Sequence, residues 1–509
     1  MYSKLHTCIL QGLIGTAVDV EGHLSNGLPQ FSIVGLPDTS IKESKERVRS
    51  AIINSGFRFP VARITINLSP AGVRKEGSQL DLSIALAILA AEGTITDEVD
   101  PHCAFLGELN LNGDLVGVPG LLPMAISLAE EGFRRVVVPK ANISECEGLS
   151  NIELIPANSL SEVVAYLNKE LEIHPMPIAP FVVRQENAYD VDFSEIHGQK
   201  NLKRAMEVAA AGHHNLLIIG PPGSGKTMAA KRMPTILPDL TFDESIESTK
   251  IYSVSNLLKQ EGLLHTRPFR APHHTASAAS LIGGGTTPKP GEVSLAHNGV
   301  LFLDEFPEFP KHVIEALRQP LEDGIVTISR ANAQITYPSD FILLASMNPC
   351  PCGYYGDEKH ECKCSLREIQ RYIGKISHPI LDRIDLHVEV KAVPFDDLQK
   401  PTEEETSEEI RARVEAAHRI QHERYEGENV RYNSGLGNRL IKKYIVLGDG
   451  EKDLLRKAYD TYHFSARSMN KILKIARTIA DLAGKEQIER MHLLEAIRFR
   501  SLDDKYWNI

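Results

Sequence analysis

Residues Gly220-Pro221-Pro222-Gly223-Ser224-Gly225-Lys226-Thr227 follow directly on the apolar run Asn215-Leu216-Leu217-Ile218-Ile219. A short buried strand, a glycine-rich turn and a helix-forming stretch are the context in which G-x-x-x-x-G-K-[ST] cradles a phosphate chain. The glycines let backbone N–H groups curl around the anion without Cβ clashes, and the following helix offers its positive end. Lys226 is expected to reach the β- and γ-phosphates, and the Thr227 hydroxyl to hold Mg2+.

About 80 residues later, Gly299-Val300-Leu301-Phe302-Leu303-Asp304-Glu305 is a continuous apolar run ending in two carboxylates. Such a run suits a parallel strand covered on both faces. Asp304 at its carboxyl end is expected to hold the Mg2+ through water, and Glu305 to polarise the water that attacks the γ-phosphate. A solvated acidic turn explains Asp304-Glu305 taken alone. Paired with the phosphate loop, they predict ATP binding and hydrolysis.

A chain of 509 residues has room for two to four domains that could position these groups. Its apolar content of 42% and charged content of 24% are those of an ordinary globular protein. The formal net charge is −11, so no global basic field draws in nucleic acid. Met1-Tyr2-Ser3-Lys4 leads into no sustained apolar stretch, and the longest such run, Leu80 to Ala91, contains Asp81 and is too short to span a bilayer. The expectation is a cytoplasmic protein without a membrane partner. Seven cysteines, an odd number with four in one short segment, do not form a secreted disulfide framework.

The chain divides by pattern into blocks. Residues 1–172 alternate strand-like pieces (Phe31 to Val34, Ile64 to Asn67) with helical ones (Ile41 to Asn54, Leu80 to Ala91), predicting an α/β domain. Residues 173–189 open with a proline-rich stretch that reads as an extended linker. Residues 190–395 carry the nucleotide signals, and 396–509, after the charged run Pro401 to Glu405, read as helical.

Further motifs complete a resemblance. Asp192 to Gln199, Phe269-Arg270-Ala271-Pro272-His273-His274-Thr275, Gly291 to Gly299 and Met347-Asn348-Pro349-Cys350-Pro351-Cys352-Gly353 together resemble the YifB/ComM group of magnesium-chelatase-like AAA+ ATPases over nearly the whole chain. The resemblance implies an AAA+ core with a parallel sheet and a C-terminal helical lid. It places Ile196, His197 and Gly198 where such proteins embrace the adenine, and Asn348 at the sensor-1 position, its amide orienting the attacking water. The plainer reading of Asn348, an Asn-Pro turn starter, is compatible with the sensor role. Arg383 matches the arginine finger, which acts on a nucleotide bound by a neighbouring subunit. Arg467 matches sensor-2, in cis or in trans. A shared site implies a homo-oligomer, by resemblance a hexamer.

Gly324 to Pro338 reads as two β-rich arms around a polar centre, hence a hairpin. In AAA+ helicases a hairpin here points into the ring's pore, which would bring Arg330 to DNA phosphates. Cys350, Cys352, Cys362 and Cys364 suit a tetrahedral structural Zn2+, although C-x-C spacing is tighter than usual, His360 is an alternative ligand, and free thiols or a redox pair are the competing reading. Loss of such zinc is expected to cost order in the loop before it costs nucleotide binding.

The first block resembles the proteolytic domain of Lon, of the fold of the second domain of ribosomal protein S5, through Lys75 to Ser83 and Gly107 to Gly113. Lon needs a serine activated by a lysine. The aligned positions here are Gln79 and Leu122, so proteolysis is not expected, although Ser78 stands one residue away. A cationic span (Lys42, Lys45, Arg47, Arg49, Arg58, Arg63, Arg74, Lys75) is either a phosphate-binding face or a solvated surface. The resulting expectation is an ATP-driven ring motor on single-stranded or branched DNA. The alternative is a chelatase-type ATPase that remodels a protein partner.

Overall fold

The computed structural model describes residues 1–177, 189–258, 262–285, 288–330, 333–357, 360–392 and 404–507. Most of the expected linker and the first half of the charged run therefore lie outside the described residues. The chain forms two compact units, Met1–Val183 with Thr241–Leu264, and Arg184–Leu240 with His265–Ile509.

The first unit is built on a mixed seven-stranded sheet in the order Gln30–Val34, Arg63–Ser69, Ile14–Ser25, Tyr2–Gln11, Cys103–Phe105, Arg135–Pro139, Glu153–Ala157. Period-two alternation sets its register: Ile64, Ile66 and Leu68 are buried along one strand, and Leu68 stands opposite Val20 of the antiparallel neighbour. The helix Asp81–Glu92 is apolar nearly all round because it is buried nearly all round. It lies so close to the strand Ile14–Ser25 that a Cβ on Gly22 would stand 2.8 Å from the Ala87 carbonyl oxygen.

The expected contiguous blocks differ from these units in two respects: blocks 190–395 and 396–509 fall largely in one unit, and a segment of the former falls in the other. The helix Phe242–Val254, which follows the phosphate loop in sequence, belongs to the first unit. A reciprocal capping box fixes its start: the Glu244 amide donates to Thr241 Oγ1 at 3.2 Å, and the Thr241 amide to Glu244 Oε2 at 3.1 Å. Its apolar face decides its place, since Ile246 and Leu263 join Leu121, Met124, Leu128 and Cys146 in one buried cluster.

The second unit holds a five-stranded, all-parallel sheet in the order Phe269–Arg270, Gly299–Leu303, Phe341–Met347, Leu216–Ile219, Leu386–Glu389. The three central strands are buried at every residue, as continuous apolar runs require. Their carboxyl ends lead into the phosphate loop, the Asp304-Glu305 turn and Asn348, the edge at which open parallel sheets bind ligands. The hairpin Ile325–Arg330 with Ala333–Pro338 is antiparallel, with Arg330 opposite Ala333; its two-residue tip and the Arg330 side chain lie outside the described part.

The C-terminal block is helical, including Ser407–Arg424, Asp449–Tyr462, Ala466–Leu482 and Arg490–Arg498. It does not close a core of its own: Val414, Ile475, Ile479 and Leu493 share one buried cluster with Ile218 and Val388 of the sheet. Among the described residues no helix is long and apolar enough to cross a membrane.

Candidate nucleotide site

Gly223 and Gly225 hold φ of +76° and +85°, which side chains rarely adopt, and so the loop can turn its amides inward before the helix Lys226–Ala230 begins. The Lys226 ammonium donates to the carbonyls of Gly220 at 2.7 Å and Pro221 at 2.9 Å, and to Asn348 Oδ1 at 3.2 Å. Burial lowers its pKa, opposed by the nearby charges of Asp304 and Glu305.

Thr227 Oγ1 donates to Asp304 Oδ2 at 2.6 Å, so the two oxygens expected to share a hard cation already face each other. Ser346 Oγ and the Glu305 amide both donate to Asp304 Oδ1, the latter at 3.0 Å, and these bonds fix the carboxylate's orientation. This donor set, a hydroxyl beside an oriented carboxylate, fits Mg2+. Glu305 has φ +52° and half-exposes its side chain, with one oxygen 3.3 Å from His274 Nδ1. The expected phosphate, metal, water-activating and sensor residues thus converge on one sheet edge.

Ile196 is buried, and the neighbouring Gly198 amide donates to Glu404 Oε1 at 2.8 Å. Gln199 links this segment to the phosphate loop by a long hydrogen bond to the Ser224 carbonyl, 3.4 Å. His197, between them, is exposed.

The two arginines stand elsewhere. Arg383 is paired with Glu322 and donates to the Pro379 carbonyl at 2.6 Å. Arg467, largely exposed, pairs with Asp382 at 3.3 Å. Both line a cavity of about 620 Å3 shared with Lys471 and Lys474, and the phosphate loop is not part of its wall.

The four sulfurs of Cys350, Cys352, Cys362 and Cys364 all lie within 4.8 Å of one another. His360 is not among them; it pairs with Asp357 at 3.5 Å and packs on Tyr354.

In the first unit, Gln79 and Leu122 are both buried, the Gln79 amide donating to the Glu76 carbonyl at 2.9 Å. The neighbouring Ser78 hydroxyl donates to the Glu108 carboxylate, not to the lysine that a Lon-type dyad requires. The cationic span is partly consumed internally: Arg47 pairs with buried Asp81 at 2.9 Å, Lys75 is buried against the Pro70 carbonyl, and Arg49 lies over Phe59. Lys42, Arg58 and Arg63 remain exposed.

His274, Ser346, Gln199 and Glu322 carry site geometry that sequence reasoning did not assign. His274 lies inside a quoted motif, so its position was visible. Its partner depends on which strands become neighbours.

Five parallel strands in this order, ending in a phosphate loop, a carboxylate pair and a polar strand tip, define a P-loop ATPase core of the AAA+ class. Families described as magnesium chelatase subunit ChlI, subunit ChlI of Mg-chelatase, and the ChlI C-terminal region match residues 192–398, 20–142 and 404–500. The chain is 43% identical over 500 residues to competence protein ComM of Haemophilus influenzae, covering 96% of each protein. It is 42% identical over 500 residues to YifB of Salmonella typhimurium (98% of this chain, 97% of YifB) and 41% over 502 residues to YifB of Escherichia coli, with the same coverage. The chain belongs to the YifB/ComM family of magnesium-chelatase-like AAA+ ATPases, and membership implies ATP and Mg2+ as its cofactors.

Proposed function

We propose that this protein is an ATP-hydrolysing ring motor, by resemblance a hexamer, that acts on DNA, driving branch migration or unwinding during recombination of incoming DNA in the cytoplasm. The observation that carries the ATPase part is the convergence of Lys226, Thr227, Asp304, Glu305 and Asn348 at one sheet edge. Lys226 and the loop amides hold the phosphates; Glu305, its carboxylate steadied by His274, takes the proton of the attacking water; Asn348 orients that water. Thr227 and Asp304 would hold Mg2+, which would supply charge neutralisation at the phosphate oxygens. Ile196, His197 and Gly198 face the base.

Arg383 acts on the nucleotide of a neighbouring subunit. Its separation from its own phosphate loop supports that reading, because an arginine working in cis would line the same pocket. Arg467 borders the same cavity and serves the same junction. The DNA substrate is supported by the likeness to a competence protein and by a hairpin ending at Arg330. The four cysteines are a structural zinc site beside this machinery.

A second reading, an ATPase that remodels a protein partner during chelation, is favoured by the descriptions of the matched families. Steady-state ATP hydrolysis with and without DNA separates the two: stimulation by DNA supports the motor, and indifference to DNA supports the second reading.

A further inference from the structure

Resting on the nucleotide-site reading, we infer that the four cysteines bind one Zn2+ as a clamp that holds the sensor segment against the phosphate loop, so that zinc content sets nucleotide affinity. Zinc–sulfur bonds of about 2.3 Å place the sulfurs of a tetrahedral site about 3.8 Å apart. Cys350 and Cys352 are 3.3 Å apart, Cys350 and Cys362 3.7 Å, and Cys352 and Cys362 3.6 Å. All seven cysteines are free, so no disulfide accounts for this convergence.

Four thiolates this close repel one another unless a cation sits between them, and soft thiolate in a tetrahedral set selects zinc.

The consequence comes from where the loop lies. Its segment touches the phosphate loop three times. The Gly220 amide donates to the Met347 carbonyl at 3.1 Å, Lys226 Nζ to Asn348 Oδ1 at 3.2 Å, and the Gly353 backbone closely approaches the Pro222 ring. At Gly353, where φ is +89°, a Cβ would come within 2.5 Å of Pro222 Cδ, so only glycine allows this approach. Cys350 and Cys352 lie between Asn348 and Gly353. Cys362 and Cys364 lead into Ser365, which caps the helix Leu366–Ile373, and Tyr372 of that helix lies beside the Asn348 backbone. One ion therefore ties the sensor segment to a helix that braces it from behind. This revises the sequence-based order of events: loop order and nucleotide binding are lost together.

The test uses the full-length chain, purified without a polyhistidine tag, and measures zinc by mass spectrometry and affinity for a fluorescent ATP analogue in excess Mg2+. About one equivalent of zinc is expected. Stripping it with a zinc-selective chelator, then removing the chelator, should weaken nucleotide binding at least tenfold with little change in helical circular dichroism. Added Zn2+ should restore the wild type but not a Cys352→Ser/Cys364→Ser variant. Unchanged affinity in zinc-free protein overturns the clamp, as does chelation that unfolds the helical signal as a whole, because a local brace cannot do that. Purified protein without zinc also overturns it. The nucleotide-site reading fails separately, if Lys226→Ala binds the analogue as the wild type does.

Discussion

The imidazole of His274 stands 3.3 Å from the carboxylate of Glu305, although the two residues follow different strands and lie 31 positions apart in sequence. Glu305 is half-exposed and sits on a left-handed backbone turn, so little else restrains its side chain. A base held by an orienting partner loses efficiency when that partner goes. His274→Ala should lower kcat for ATP hydrolysis about tenfold, an order-of-magnitude figure for losing a positioning contact, and leave KM nearly unchanged. His274→Gln should recover part of the loss. An equal rise of KM in both variants would mean that His274 supports binding instead.

Removing the base itself is the harsher change. Glu305→Gln should retain ATP binding and lose turnover by about 10²–10⁴-fold, the usual contribution of a positioned acid–base group. Asp304→Asn should instead weaken the Mg2+ dependence, because it removes the charge opposite Thr227. Paired titrations of rate against Mg2+ check both.

Arg383 is tied to Glu322 of its own chain. If it serves a neighbour's nucleotide, assembly must exchange that partner for phosphate. Arg383→Ala should bind ATP normally and hydrolyse it about 10³-fold more slowly, as loss of a finger does. Wild-type specific activity should rise with protein concentration until the ring forms. Concentration-independent activity in a species shown monomeric by light scattering would refute the shared site.

A pH dependence follows from the first unit. Glu145 is buried, and burial pushes its carboxyl up to about 7, against hydrogen bonds from Ser253 at 2.5 Å and Asn142 at 2.9 Å that pull it down. The folded state thus favours the protonated acid. Its stabilisation is full below the ordinary value of 4.5 and is lost as pH rises through about 7. A shift of that size is worth on the order of 3 kcal/mol. Glu145→Gln should melt higher than the wild type at pH 8, and the difference should vanish near pH 4.5. Parallel melting curves at the two pH values would count against it.

How much of this was legible in the sequence depended on distance along the chain. The phosphate loop and the Asp304-Glu305 strand end were readable because contiguous residues make each of them, and a continuous apolar run names a buried parallel strand wherever it occurs. The hairpin arms and the helical C-terminal block followed from local pattern in the same way. What escaped were pairings set by topology: Ser346 with Asp304, His274 with Glu305, and Glu322 with Arg383. The helix Phe242–Val254 is the clearest case. Its cap is written in Thr241 and Glu244, yet nothing local says that Ile246 packs with Leu121 in the first unit rather than on the ATPase sheet. Charge counting failed for a related reason: Arg47 and Lys75 read as surface cations but face Asp81 and the Pro70 carbonyl inside the fold.

The most direct test of the motor reading is the steady-state ATPase rate without DNA and with single-stranded, duplex and four-way-junction DNA, using Lys226→Ala as the blank. The account predicts strong stimulation by single-stranded or branched DNA and none in the blank. A wild-type rate indifferent to every DNA would contradict it.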